Sequence, residues 1–191
     1  MEKLLFSVAG VPASSKKPDT LSGIRRIREL GLDGMELEFV NGVRMKEEKA
    51  AEAKALSRSL AVALTAHAPY YVNLNAAEPE KLQSSRSHLM QTARMAFLAG
   101  AVSFTFHPAY YLKEDPEEVY RRVKSEIQSL KEEIAAAGYD LLISPETTGK
   151  PTAFGSLEEL LRLAEDLPGL NLCVDFAHLH ARRGDGSLNS Y

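Results

Sequence analysis

Histidine and carboxylate side chains follow four successive apolar segments of the sequence. The stretches HAPYY, FHPAYY, SPETTGK and VDFAHLHAR each begin where such a segment ends. They carry His67, His107, Glu146, Asp175 and His178. Imidazole nitrogens and carboxylate oxygens are the ligands of catalytic Zn²⁺ or Mn²⁺ sites, which keep one coordination position open for water. The sequence therefore predicts a divalent metal site built from these five residues.

The five histidines of the chain do not all favour this interpretation equally. His67 or His107 alone could be a buried histidine bonded to backbone, but two at equivalent strand ends favour metal ligation. His180 lies two residues after His178 and is expected to point outward or to support a ligand from behind. His88 lies among serines in a helical segment and is predicted to be a solvated surface residue.

The two carboxylates need a positive partner. Glu146 and Asp175 follow the apolar runs LLIS and LNLCV, where an unpaired buried charge costs several kcal/mol. A metal ion is the simplest partner, although Lys150 or Arg182 could also serve.

The elements that position these residues alternate in type along the chain. Short β-rich apolar runs alternate with segments of helical periodicity, which is typical of a parallel βα repeat. The predicted strands are 4–9, 34–39, 61–67, 102–107, 140–146 and 171–176. The predicted helices are 19–30, 45–60, 79–98, 116–138 and 156–167. Glu36 and Glu38 share one face of the second strand and could either reach a metal or be solvated.

Six βα units fit either an open doubly wound sheet or an incomplete (β/α)8 barrel, because a complete barrel usually needs about 250 residues. No G-x-G-x-x-G motif follows the first strand and the sequence contains no P-loop motif, which disfavours a Rossmann fold. We therefore predict an α/β fold, a TIM (β/α)8-type barrel truncated to about six βα units with a parallel sheet. It forms a single domain over 1–191 that lacks strands seven and eight, with the candidate ligands at the carboxyl-terminal face.

Composition excludes several classes of protein. Among 191 residues, 45% are hydrophobic and 26% are charged, which fits neither a membrane span nor a disordered chain. The net charge of −3 excludes a globally basic nucleic-acid coat. The single cysteine, Cys173, cannot form an internal disulfide, and the N-terminus lacks the apolar region of a signal peptide. The predicted location is cytoplasmic, without membrane association.

These motifs resemble those of the endonuclease IV family of apurinic/apyrimidinic endonucleases, within the xylose isomerase-like TIM barrels. HAPYYVNL with His67 is similar to the first histidine motif of the family, and FHPAYY with His107 to the second. PETTGK with Glu146 resembles the motif of a bridging glutamate, and VDFAHLHAR matches the D-x-x-H motif. The resemblance extends over the whole chain, and the order and placement of the motifs are more specific than any one of them.

The resemblance implies a site with up to three Zn²⁺ ions, with Mn²⁺ possible, that cuts the DNA backbone 5′ to an abasic sugar. His67, His107 and Glu146 would hold one ion, Glu146 and Asp175 a second, and His178 a third. Glu146 would be the catalytic bridging carboxylate. The further ligands that the family takes from strands seven and eight are absent, so we expect that the sequence is a truncated form.

Double-stranded DNA with abasic sites is the partner that this resemblance implies. Tyr70 and Tyr71 have flat faces that could stack in the gap of a missing base, or they could cap the barrel mouth. Arg44 is the companion DNA-binding candidate, although VNGVRM departs from the family pattern there. Basic residues recur in the loops after the strands, but acidic residues lie close to them, so charge gives mild support only.

Two other functions stay open at this stage. A metal-dependent sugar isomerase or epimerase of the same superfamily also uses a glutamate at strand five and a D-x-x-H motif at strand six, but has no obvious need for both His67 and His107. A metal-binding protein without turnover is the third possibility, because His67, His107 and Glu146 alone complete a three-ligand site. The oligomeric state is not predicted.

Overall fold

A parallel β-sheet forms the centre of the computed structural model, which describes residues 4–186. Its five strands in this range are β1 (Ser7–Ala9), β2 (Gly34–Glu38), β3 (Ala63–His67), β4 (Ser103–Phe106) and β6 (Leu142–Pro145). They lie in the order β1-β2-β3-β4-β6, so each strand pairs with the next one along the sheet. A short antiparallel pair, β5 (Ala109–Tyr110) with β7 (Ala153–Phe154), joins the loops after β4 and β6. The predicted α/β fold with a parallel sheet is confirmed.

Helices follow the strands, and the first three of them pack against one face of the sheet. They are α1 (Thr20–Glu29), α2 (Glu47–Ser59), α3 (Pro79–Ala99), α4 (Pro116–Ala136), α5 (Leu157–Asp166) and α6 (Phe176–Arg183). The first five agree with the predicted helices to within a few residues at each end. Among residues 4–186, no helix has both the length and the apolar character that crossing a bilayer requires.

The two faces of the sheet differ in chemistry because side chains alternate along each strand. Leu37, Ala66 and Phe104 lie on the face that packs against α1 to α3 and belong to the buried core. The opposite face is polar. Glu38 pairs in register with His67, and His67 with Thr105, so the sheet itself brings a carboxylate beside an imidazole.

The predicted sixth strand over 171–176 is wrong in detail. Within the described residues, this segment forms only an isolated parallel bridge between Glu146 and Cys173, with backbone hydrogen bonds to the β6 edge. Asp175 then caps α6, its side chain accepting a hydrogen bond from the backbone N–H of His178. The apolar run LNLCV indicated a strand, but the cap converts its end into a helix that the sequence analysis did not predict.

Helix α5 begins with a capping box. The Ser156 hydroxyl accepts a hydrogen bond from the N–H of Glu159, and the Glu159 carboxylate accepts one from the N–H of Ser156. We expect Ser156→Ala to lower the free energy of unfolding by about 1 kcal/mol, because it leaves a helix N–H without a partner. Urea unfolding measures the change. Ser156→Asp, which preserves the cap, should stay close to wild type, and equal losses in both variants would contradict the assignment.

Candidate metal centre

The ends of β3, β4 and β6 bring two imidazoles onto one carboxylate. His67 is the last residue of β3, while His107 and Glu146 directly follow β4 and β6. Atom Oε2 of Glu146 lies 2.9 Å from His67 Nε2 and 3.1 Å from His107 Nε2. The ligand atoms of all three residues lie within 4.8 Å of one another, the spacing expected around a single metal ion.

The hydrogen bonds of His67 place its proton on Nδ1 and leave Nε2 available to a metal ion. Its Nδ1 lies 2.7 Å from the carbonyl oxygen of Ala68, and a carbonyl can only accept, so Nδ1 carries the proton. In the neutral ring, Nε2 then presents a lone pair to the Glu146 carboxylate, and two acceptors 2.9 Å apart require a proton or a cation between them. Burial lowers the pKa of His67, but the hydrogen bonds with Glu146 and the Ala68 carbonyl, together with the negative charges of Glu146 and Glu36, raise that pKa overall.

His107 and Glu146 also place a ring nitrogen and a carboxylate oxygen close together without a hydrogen bond between them. Although His107 Nε2 is close to Glu146 Oε2, the pair lacks hydrogen-bond geometry, and this shielded nitrogen has no hydrogen-bond partner among residues 4–186. Burial raises the pKa of Glu146, but its interactions with His107 and His67 lower that pKa to about 2. The carboxylate is therefore ionised at neutral pH. A divalent cation would pair with the carboxylate and both nitrogens at once, so these three residues fit a metal ion.

Asp175 and His178 approach the opposite side of Glu146. With Glu146 they form a second group whose ligand atoms lie within 4.8 Å of one another. His178 Nδ1 is 3.7 Å from Glu146 Oε1 and 3.5 Å from Asp175 Oδ2. That same nitrogen lies 2.8 Å from the carbonyl oxygen of Thr147, to which it donates. As in His67, a neutral ring that donates from Nδ1 to a backbone carbonyl keeps the lone pair of Nε2 for a metal ion.

Thr147 fixes Asp175 in place, a role that the sequence analysis missed. Its fully buried hydroxyl accepts from the backbone N–H of Asp175 at 2.9 Å and lies 3.3 Å from the Asp175 carbonyl. A threonine next to Glu146 in the motif PETT was the available indication, but a hydroxyl alone does not reveal its partner.

A cavity of about 630 Å³ opens over these ligands. Its wall includes the metal-ligand candidates together with Glu36, Glu38, Tyr70, Tyr110 and Lys150. The position of Glu36 and Glu38, left open by the sequence, is thus on the site face. Burial, and then repulsion by Glu146 and Glu38, raises the pKa of Glu36 although His67 opposes this. Lys150 is the one lysine or arginine on this wall within the described residues.

Arg182 stabilises the loop that follows Glu146, rather than pairing with a carboxylate of the site. Its Nη1 donates to the carbonyl oxygens of Lys150 and Ala153, both at 2.8 Å, and contacts the Thr148 hydroxyl at 3.2 Å. Arg182 lies in α6, so these bonds hold the helix that carries His178 against the loop.

Replacing Arg182 tests this arrangement. Arg182→Ala should lower the free energy of unfolding by about 1–2 kcal/mol, because it removes hydrogen bonds to two part-buried acceptors and one exposed acceptor. Chemical denaturation measures the loss. Arg182→Lys supplies one point donor and should recover only part of it. A variant as stable as wild type would show that these bonds contribute no net stability.

The three DNA-binding candidates lie in different surroundings. The Tyr70 ring stacks on His107, with centroids 5.4 Å apart, and its edge contacts His67. Tyr71 points away from the metal candidates and contacts His88 instead. Arg44 is exposed and lines a smaller cavity of about 350 Å³ beside β2. His88 is half-buried, so its predicted solvated position is wrong, whereas His180 is exposed as expected.

Comparison with known proteins identifies the family of this chain. The family model of the xylose isomerase-like TIM barrel matches residues 24–190. The chain belongs to this family. An uncharacterised protein of Methanocaldococcus jannaschii is 42% identical over 188 residues, which is 98% of the chain and 66% of that relative. A Chlorobium luteolum protein named "Probable endonuclease 4" is 28% identical over 120 residues, 60% of the chain and 42% of that protein. The chain thus spans two thirds or less of these relatives.

Solved structures of two activities share the fold of this xylose isomerase-like chain. Endonuclease IV from Thermus thermophilus superposes with a TM-score of 0.69 at 23% identity, over 92% of the chain and 63% of that protein. D-psicose 3-epimerase from Clostridium cellulolyticum superposes with a TM-score of 0.76 at 12% identity, over 98% of the chain and 67% of that protein. At these identities the likeness establishes the TIM-barrel-like fold alone. The resemblance to endonuclease IV found in the sequence is confirmed at the level of the family.

Proposed function

We propose that this chain belongs to a zinc-dependent endodeoxyribonuclease of the endonuclease IV type, which hydrolyses the DNA phosphodiester 5′ to an abasic site in base excision repair. The observation that carries the proposal is the convergence of His67 Nε2 and His107 Nε2 on one ionised oxygen of Glu146. The relatives named endonuclease 4 and the endonuclease IV structure support it.

Different residues of the site would bind the metal ion, orient a ligand and bind the phosphate. His67, His107 and Glu146 would hold one ion, and Asp175 with His178 would extend the site beyond Glu146. When bound, zinc ions supply charge neutralisation for the phosphodiester and lower the pKa of water at the site toward about 7. Tyr70 keeps the His107 ring oriented by stacking on it and presents its other, half-exposed face to the substrate. Lys150 is placed to bind a phosphate oxygen on the same wall.

The proposal is tested on a duplex that contains one abasic site. The zinc-loaded protein should cut that strand on the 5′ side of the lesion and leave a matched intact duplex uncut, and EDTA should stop the reaction. Zinc binding by His67 and His107 without any cleavage of abasic DNA would overturn the nuclease assignment.

Lys150 gives a second test of DNA as the partner. Lys150→Met should raise the KM for abasic DNA about ten-fold and lower the salt slope of binding by about 1, because one phosphate contact is lost. Cleavage assays at several salt concentrations measure both quantities. Lys150→Arg, which preserves the charge, should keep the wild-type slope, and an unchanged slope in Lys150→Met would contradict the contact.

Glu36 and Glu38 favour a second candidate function, a metal-dependent sugar isomerase or epimerase. The two carboxylates add negative charge to the cavity, which suits the hydroxyl groups of a ketose better than a phosphate. Incubating the Mn²⁺-loaded protein with ketohexoses and following epimer formation by chromatography separates this reaction from DNA cleavage.

A further inference from the structure

A second cavity of about 630 Å³ lies beside the metal cavity, between the loop after β3 and the first half of α3. It lies outside both metal-ligand groups. The residues that define it are Tyr71, Asn73, Lys81, His88, Tyr110 and Leu112. Its volume is large enough for a planar heterocycle with its sugar, and within the range of small-molecule sites.

Aromatic rings form the walls of this second cavity. The Tyr71 and His88 rings contact each other edge to face, with centroids 5.0 Å apart, and Tyr71 keeps about half of its surface exposed. Tyr110 and Leu112 add further ring and apolar surface. Such walls bind flat, uncharged rings by stacking.

The polar groups of the cavity disfavour an anion. Lys81 is the only lysine or arginine among its described lining residues, and its ammonium group already pairs with the Glu78 carboxylate at 2.9 Å. The His88 Nδ1 atom is shielded from solvent and has no hydrogen-bond partner among residues 4–186. Buried polar atoms normally have a partner. A ligand that turns the His88 ring toward the cavity would supply one with its own donors and acceptors.

Tyr110 connects this cavity to the metal centre, because it lines both. Its position is fixed from two sides: its N–H donates to Asn73 Oδ1 at 3.2 Å, and its carbonyl accepts from Asn75 Nδ2 at 2.9 Å. Leu112, at the cavity edge, has a φ of +54°, a left-handed conformation that leucine rarely adopts and that is often retained at functional sites.

We propose that this second cavity binds a nucleobase from the DNA strand whose abasic sugar occupies the metal cavity. The inference rests on the proposed nuclease function for the source of the base. The base stacks against Tyr71 and pairs with polar groups around His88, while Tyr110 separates it from the abasic sugar. This contact would place the lesion over the metal ligands with interactions that an abasic sugar alone cannot provide.

Nuclear magnetic resonance of the His88 imidazole protons tests the chemistry without any need for catalysis. The resonances are assigned by comparison with His88→Gln. Addition of dAMP should shift them with saturation, whereas 2-deoxyribose 5-phosphate, the same sugar phosphate without its base, should not. Tyr71→Leu should weaken dAMP binding roughly ten- to hundred-fold, the range expected for a lost stacking contact. The matched control Tyr70→Leu alters the metal cavity and should leave the His88 response unchanged.

Binding to DNA tests the source of the base. A duplex with 2-aminopurine next to the abasic site, bound in the presence of EDTA, should differ in fluorescence between wild type and Tyr71→Leu. The proposal is overturned if dAMP and the sugar phosphate act alike on His88, if Tyr71→Leu binds dAMP as wild type does, or if the two complexes fluoresce identically. Failure of abasic DNA cleavage with an intact dAMP response would instead count against the nuclease function and leave base recognition standing.

Discussion

Glu146→Gln should abolish tight binding of a divalent metal ion. Any activity that depends on the bound metal should be lost as well. Glu146 belongs to both ligand groups, and its ionised carboxylate faces His67 on one side and His178 on the other. The amide of glutamine preserves the shape but carries no charge. Loss of a residue that merely supports a ligand already weakens a metal site about 10- to 100-fold, so loss of the shared ligand should exceed about 100-fold.

Competition with a chromophoric chelator measures the zinc affinity of this variant. Glu38→Gln is the matched control, because Glu38 lines the same cavity and pairs in register with His67 but lies outside both ligand groups. We expect this control to bind zinc with nearly the wild-type affinity. Equal zinc affinity in Glu146→Gln and wild type would remove the basis of the metal centre.

Phe104→Ala should lower the free energy of unfolding by about 3–5 kcal/mol. Phe104 is fully buried in the middle of β4, on the face covered by helices, and its ring stacks on Phe106. Removing the ring leaves a cavity that the sheet and helices cannot close, because strands and helices hold both sides in place. A loss of this size is a large share of the roughly 5–15 kcal/mol that usually stabilises a domain.

Urea unfolding followed by circular dichroism measures this change. Val102→Ala is the control, since Val102 lies just before β4 with 46% of its surface exposed and should cost at most about 0.5 kcal/mol. Similar losses in both variants would mean that the apolar face of β4 is not packed as described. Because β4 delivers His107 to the site, a weakened Phe104 contact should also weaken zinc binding.

Local patterns in the sequence predicted most of the secondary structure. Asp19, Asp115 and Ser156 each cap a helix at or next to the predicted starts of 19–30, 116–138 and 156–167, because a cap depends on neighbours within four residues. The parallel strands that carry His67, His107 and Glu146 at or just after their ends were also predicted, since apolar runs between helices have few other solutions. The strand predicted over 171–176 was wrong, because whether such a run becomes a strand or ends in a helix cap depends on its neighbours in space.

The sequence by itself determined which residues could form the site and that they share one face, because parallel strands always present their carboxyl ends together. Only the tertiary structure decided which nitrogen of His67 faces Glu146, that Glu36 joins the cavity, and that Tyr70 and Tyr71 serve separate cavities. It also decided that Arg182 binds carbonyl oxygens of the loop after Glu146. The physical reason is that hydrogen-bond direction and ring contacts depend on distances of a few ångströms between residues far apart in the chain, which residue order alone does not specify.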